Sequence, residues 1–136
     1  MKTCYVCKTE KPLSQFGFHR NRKDGKQTYC MDCAKVNQTK WYYSRKFGIS
    51  IEERDELLRK QDGRCAICKK FINFTEQGRG QKTGNDAVID HCHGKGHIRG
   101  VLCGYCNTGL GSFKDDLHNL AEAFLYIQND LDTGKN

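Results

Sequence analysis

Cys65-Ala-Ile-Cys68, then Val88-Ile-Asp-His-Cys-His93, then His97-Ile-Arg-Gly-Val-Leu-Cys-Gly-Tyr-Cys-Asn107-Thr-Gly-Leu-Gly111 form an ordered series within one 47-residue span, 65–111. Cys65, Cys68, Cys103 and Cys106 have zinc-ribbon spacing, and four thiolates are a tetrahedral zinc set. Val88-Ile89 and Ile98–Leu102 are short β-branched runs separated by Gly94-Lys95-Gly96, the pattern of a β-hairpin. The first run ends on Asp90-His91, a hard oxygen ligand beside an imidazole that serves as a base near neutral pH. Asn107 follows the last cysteine at the expected start of a helix. Its amide oxygen is either a helix cap or a second oxygen ligand. Carboxylate and amide oxygen, completed by water and phosphate, suit Mg²⁺, whereas the thiolates select zinc. Successive residues of a regular strand face opposite sides, so Asp90 and His91 share a site only if the strand ends or bulges there.

The neighbouring residues carry weaker signals. His93 reads either as a functional histidine or as a spare residue beside the zinc. His97 reads as a turn residue, and Arg99 as a phosphate contact or a surface salt bridge. Cys92, the odd cysteine, reads as a small buried apolar side chain.

On the C-terminal side, residues 115–131 have the period of an amphipathic helix, with Leu117, Leu120, Phe124, Leu125 and Ile127 as its stripe. Core packing or subunit contact is its expected role, and Thr133–Asn136 are expected to fray. Residues 73–86, polar and Gly-rich, read as a surface loop. Upstream, Ser50 and Glu53 have capping-box spacing for a helix carrying Ile51, Leu57 and Leu58 and ending at Asp62-Gly63.

The N-terminal third repeats the cysteine pattern without the rest. Cys4, Cys7, Cys30 and Cys33 make a second zinc set over residues 1–34, with Phe16 and Phe18 as its expected mini-core. Residues 34–47 lack Gly and Pro and predict a helix in which Lys35, Lys40, Arg45 and Lys46 are interleaved with Trp41, Tyr42 and Tyr43. Such a helix lies along DNA, or packs its aromatics and solvates its charges.

Composition sets the outer limits. Only 37% of the 136 residues are hydrophobic, so a small core needs staples, and eight of nine cysteines fall in C-x-x-C pairs that supply them as metal sites. The net charge of +7 is uneven. Residues 1–47 hold 11 basic and 3 acidic residues, against 12 and 13 in 48–136, which marks the first third as the polyanion-binding part. Two zinc–tetrathiolate sites would each subtract roughly two charges from that sum. MKTCYVCK lacks an apolar signal region and no apolar run has membrane-spanning length, so a reducing cytoplasm and no membrane association are expected.

The segment 65–113 resembles the recombination endonuclease VII branch of the HNH, or His-Me finger (ββα-metal), nucleases. The matching residues are C-x-x-C, I-D-H-C-H and I-R-G-V-L-C-x-x-C-N-x-x-L-G. The first four cysteines resemble the extra zinc knuckles of phage HNH proteins and the two-zinc layout of some small restriction enzymes. The resemblance implies that Asp90 and Asn107 hold one Mg²⁺ or Mn²⁺, that His91 activates the attacking water, and that His93 supports the site. It also implies 5′-phosphate and 3′-hydroxyl products and, for a phage-encoded chain, the cytoplasm of a bacterial host. The expected fold is a small α+β protein: residues 1–47 as a four-cysteine module and basic helix, and 48–136 as a ββα-metal nuclease domain with structural zinc. DNA is the expected partner. Cutting two strands with one active site is awkward, which favours a homodimer joined through the helices at 34–62 and 115–131. The rival reading is a non-catalytic zinc-dependent DNA-binding protein.

Overall fold

A computed structural model describes residues 1–75 and 84–134. They form small antiparallel sheets and helices in the order β1 (Lys2–Thr3), β2 (Glu10–Lys11), β3 (Phe16–Phe18), β4 (Lys26–Cys30), α1 (Met31–Phe47), α2 (Ile51–Arg59), β5 (Ala87–His91), β6 (Ile98–Cys103), α3 (Gly104–Ser112) and α4 (Leu117–Asp132), with a 3₁₀ turn at Leu13–Gln15. The sheets are three two-stranded pairs, β1–β2, β3–β4 and β5–β6. The architecture is the small mixed α+β type that the sequence predicts. The chain divides into two compact units, Met1–Arg54 and Asp55–Asn136.

Sulfur sits at the centre of each unit. Cys4, Phe16 and Cys30 are the buried cluster of the first, with Tyr29 and Cys33 packed against it. The buried apolar residues of the second are Cys65, Ile72, Ile89, Val101, Leu102 and Cys103. Each fully buried aliphatic side chain contributes about 1.5–3 kcal/mol. Units with so few of them usually need cross-links or metal sites as well.

Local rules account for most element ends. α1 stops at Gly48, whose left-handed φ of 68° forms the C-cap and returns its N–H to the Ser44 carbonyl. The helix begins at Met31, three residues ahead of the expected start, because Cys30 takes the cap position and places Cys33 in the first turn. The Ser50/Glu53 capping box is reciprocal: Glu53 N–H donates to Ser50 Oγ at 3.1 Å, and Ser50 N–H donates to Glu53 Oε2 at 2.7 Å. α4 starts at Leu117 rather than at residue 115, since Asp116 caps it by accepting from Asn119 N–H at 2.8 Å.

Two expectations need correction. Phe18 is not in the mini-core: it is 76% exposed while Phe16 is buried. Residues two apart in a strand share a face, but the β3–β4 register shifts between Phe16 and Phe18 and breaks that alternation. α4 adds no buried residue, and Leu117, Phe124, Tyr126 and Ile127 are exposed, so of its two expected roles core packing is not the one observed. The hairpin and zinc loops close the core of the second unit without it. The predicted loop at 73–86 lies for the most part outside the described residues. Its two ends are pinned by Ala87 N–H to Asn73 carbonyl at 2.7 Å and Asn73 N–H to Asn85 carbonyl at 3.1 Å. Of the tail expected to fray, residues 135–136 lie outside them as well.

Candidate active site and metal centres

Both predicted cysteine sets converge. The ligand atoms of Cys4, Cys7, Cys30 and Cys33 lie within 4.8 Å of one another, as do those of Cys65, Cys68, Cys103 and Cys106. Cys4–Cys33 and Cys68–Cys103 have Sγ–Sγ separations of 3.8 Å. A tetrahedron of Zn–S bonds near 2.3 Å has edges of about 3.8 Å, so both clusters fit zinc. Burial pushes the Cys4 thiol up, but backbone N–H groups from Cys7, Cys30 and Val6 outweigh it and bring Cys4 down to about 6. Cys65, buried and facing the N–H groups of Cys103, Cys68 and Ile67, is likewise lowered to about 6. Within the same clusters, hydrogen bonding with Cys30 together with burial pushes Cys33 up to about 12, and burial with the neighbouring sulfurs pushes Cys106 up. Each cluster therefore concentrates thiolate charge that a cation neutralises.

The β5–β6 hairpin carries the second set of candidates. Ala87 pairs with Cys103, Val88 with Leu102, Ile89 with Val101 and Asp90 with Gly100, and then His91 pairs with Ile98. One residue, Arg99, is extra on β6, and the register shifts between Asp90 and His91. The bulge is therefore on β6, opposite the dipeptide, and β5 ends at His91. Asp90 is the buried charged residue among those described, at 7% exposure. His91 is half-buried, His93 is exposed, and their ring centroids lie 4.9 Å apart. Asn107 is half-buried on α3, which packs on both β5 and β6. Hairpin and helix together make a ββα unit.

Asp90 is held firmly. Arg99 Nε donates to Asp90 Oδ2 at 2.7 Å and Arg99 Nη2 donates to Oδ1 at 3.0 Å, a bidentate pair. Nη2 also donates to Asp115 Oδ1 at 3.2 Å. The two carboxylates hold the guanidinium well above its ordinary pKa, hydrogen bonding to Asp90 being the larger cause. Of the two alternatives for Arg99, phosphate contact or salt bridge, the structure has the salt bridge. Each Asp90 oxygen accepts one N–H from this fork, and a carboxylate oxygen has a further lone pair for a cation. The donor set of Asp90 and Asn107 is all oxygen and fits a hard divalent ion.

Two contributing residues escaped the sequence reading. Asp115 looks like an acid ahead of a helix, but Lys114 and Asp115 both adopt left-handed φ, 56° and 54°. Two such non-glycine residues in succession cost roughly 1 kcal/mol or more each. Gln61 clips the hairpin from behind: its amide donates to the carbonyls of Arg64 and Val101 and accepts from Val101 N–H at 2.9 Å. A Cβ on Gly100 would come within 2.9 Å of that Gln61 oxygen, so glycine there leaves room for the clip. Nothing in the local sequence signals a glutamine at the end of a helix as a strand clamp.

The candidate DNA contacts of α1 are exposed. Lys35, Lys40, Arg45 and Lys46 all face solvent, with the Arg45 guanidinium 5.0 Å from the ring of an exposed Trp41. Tyr42, Tyr43 and Phe47 are half-buried and pack edge to face or tilted, with centroids 5.2–6.0 Å apart. Solvent-facing charges and packed aromatics thus share one helix. Among the described residues, no helix is long and apolar enough to cross a membrane.

The profile of the family described as recombination endonuclease VII matches residues 38–129, which include the second cysteine set and the hairpin but not the first set. Gene 59 protein of Mycobacterium phage D29 is 32% identical over 83 residues, covering 60% of this chain and 45% of that protein. Gene 59 protein of Mycobacterium phage L5 is 32% identical over 84 residues, covering 61% and 46%. The chain thus spans a little under half the length of these curated relatives. Among solved structures, the crystal structure of the ββα-Me type II restriction endonuclease Hpy99I aligns with 25% identity and a TM-score of 0.40, covering 94% of this chain and 65% of that one.

Proposed function

The chain belongs to the recombination endonuclease VII family, and from that premise we propose that it is a metal-dependent DNA endonuclease that hydrolyses phosphodiester bonds with His91 as general base. The observation that carries the reading is the end of β5 at Asp90-His91, opposite the β6 bulge at Arg99, with Asn107 on the helix packed against the same hairpin. In this reading Asp90 and Asn107 hold one Mg²⁺ or Mn²⁺, which supplies Lewis-acid stabilisation of the phosphate and the departing 3′-oxygen. His91 accepts the proton of the attacking water, and exposed His93 beside it contacts phosphate. The two cysteine clusters hold structural zinc. Residues 48–136 carry the chemistry, while residues 1–47 grip DNA through Lys35, Lys40, Arg45 and Lys46. The uncovered apolar face of α4 is where a second copy would dock to place two sites on two strands. The site of action is the cytoplasm of a bacterial host.

Plasmid nicking with Mg²⁺ or Mn²⁺ tests the reading. The parent chain nicks, and His91→Ala with both zinc ions retained does not. Nicking that survives His91→Ala removes the histidine mechanism. DNA binding without any nicking by the parent selects the non-catalytic zinc-dependent DNA-binding alternative. Cleavage of a four-way junction compared with a linear duplex and a library of duplex sites identifies the substrate.

A further inference from the structure

We propose that Arg99 and Asp115 are positioning residues for Asp90: a carboxylate–guanidinium–carboxylate chain that fixes the orientation of the metal-binding carboxylate and sets the charge beside it. The proposal rests on the metal reading above and deepens it. Three independent features support it. The β6 bulge makes Arg99 the extra residue opposite Asp90–His91, and from there its fork reaches both Asp90 oxygens. Asp90 is only 7% exposed, so the guanidinium stands in for the water that the carboxylate has lost. Asp115 reaches the same guanidinium only from a left-handed turn, and that turn is tied to the end of α3 by Asp115 N–H to Leu110 carbonyl and Lys114 N–H to Gly111 carbonyl, each 3.0 Å. The chain therefore links all three elements of the ββα unit: β5 through Asp90, β6 through Arg99, and the end of α3 through Asp115.

Charge explains why two acids are present. Arg99 alone would cancel Asp90 and leave no net charge to attract a dication. Two carboxylates around one guanidinium leave one net negative charge, available to the metal through the remaining lone pairs of Asp90. Arg99 acts inward, on the ligand, rather than on DNA phosphate.

The test is Mn²⁺ binding to the full-length, zinc-loaded chain without DNA, read as free Mn²⁺ by EPR, with nicking rates measured across Mn²⁺ concentration. Asp90→Asn serves as the control that abolishes the site. Asp115→Asn, which tolerates the left-handed turn, and Arg99→Lys, which keeps the charge but loses the fork, are each expected to weaken Mn²⁺ binding about tenfold or more, the usual scale for groups that orient a ligand. Nicking by Asp115→Asn returns towards the parent rate at raised Mn²⁺. Mn²⁺ affinities of both variants within about threefold of the parent overturn the proposal while leaving the metal reading intact. So does an Arg99→Lys defect confined to the KM for DNA. Parent binding unaffected by Asp90→Asn overturns the metal reading and this proposal together. Zinc content and thermal unfolding confirm the fold. Where Asp115→Asn loses zinc, Arg99→Lys, which leaves the turn untouched, decides between these outcomes.

Discussion

The two four-cysteine modules are built on one plan and differ in what they carry. In each, a C-x-x-C knuckle is followed by a lysine with left-handed φ, Lys8 at 59° and Lys69 at 63°. Its N–H returns to the carbonyl of the first cysteine, Cys4 or Cys65. In each, a strand hairpin with one register shift ends on a cysteine that caps the next helix. Cys30 and Cys103 have nearly the same backbone angles, φ −74° ψ 163° and φ −72° ψ 160°. Phe16 stands opposite Cys30 as Ala87 stands opposite Cys103. Beyond those partners the two hairpins differ: β3 ends at Phe18, with His19 and Arg20 in the connection to β4, whereas β5 continues through Asp90 and His91. Four residues on from the capping cysteine, Ala34 stands where Asn107 does (30 + 4 and 103 + 4). On the proposed reading, the four-cysteine frame is separable from the chemistry. The second copy has Asp90, His91 and Asn107, whereas the first has Arg20, Arg22 and Lys23 in its hairpin connection and Ala34 in its helix.

The largest effect expected from breaking this parallel is on the metals. Cys103→Ser should cost the second unit its zinc and its fold, since zinc binding to small domains supplies roughly 10–16 kcal/mol near neutral pH. Zinc analysis should then find one ion per chain in place of two, and nicking should vanish. Cys30→Ser should also remove one ion, but with a different outcome: DNA affinity falls while nicking at high DNA concentration persists. Loss of nicking in both variants would show that the frames are not separable. Next in size is His91→Ala. Loss of a general base lowers turnover about 10²–10⁴-fold, while Arg20→Ala, in the β3–β4 connection of the first module, should leave turnover at saturating DNA unchanged. Rates at saturating DNA distinguish the two.

How far this arrangement was legible follows from the range of the interactions involved. The cysteine sets, the hairpin and the capping box are encoded by spacing over a few residues, and each formed where spacing put it. The constraint on Asp90 and His91 was also visible, because strand alternation separates them unless the strand ends or bulges, but the β6 bulge opposite them was not. A bulge depends on pairing with β6, and no local pattern announces that Arg99 is the extra residue. Phe18 shows the same limit from the other side. Its spacing from Phe16 predicts a shared face, and a register shift across the hairpin undoes it. Gln61 and Asp115 were invisible for a further reason. Their roles lie in contacts 40 and 16 residues away in sequence, and each looks locally like ordinary helix-end polarity.

That register shift gives the next prediction in order of size. Phe16 is 1% exposed and fills the centre of the first module, so Phe16→Ala should destabilise that unit by about 3–5 kcal/mol, as loss of a buried aromatic does. Phe18→Ala, two residues along, should change stability by about 0.5 kcal/mol or less. Denaturant unfolding followed by zinc release measures both, and equal losses would mean that the hairpin keeps regular alternation after all.

The smallest effect probes the exposed charges on the helix of the first module. α1 has its half-buried aromatics, Tyr42, Tyr43 and Phe47, in mutual contact, while Lys40 and Arg45 are exposed and Arg45 lies over the exposed face of Trp41. On the proposed reading, charges placed this way would touch phosphate without reading bases. Lys40→Ala and Arg45→Ala should therefore weaken binding about equally for every DNA sequence. Each should reduce the slope of log affinity against log salt by about 1, as expected when one fewer phosphate is neutralised. Filter binding across a salt series on two unrelated duplexes measures this. An unchanged slope would mean that these side chains are solvated surface. The positive third of the chain would then have to act through the knuckle's own Arg20, Arg22 and Lys23, which sit in the β3–β4 connection where the second module has its Gly94-Lys95-Gly96 turn.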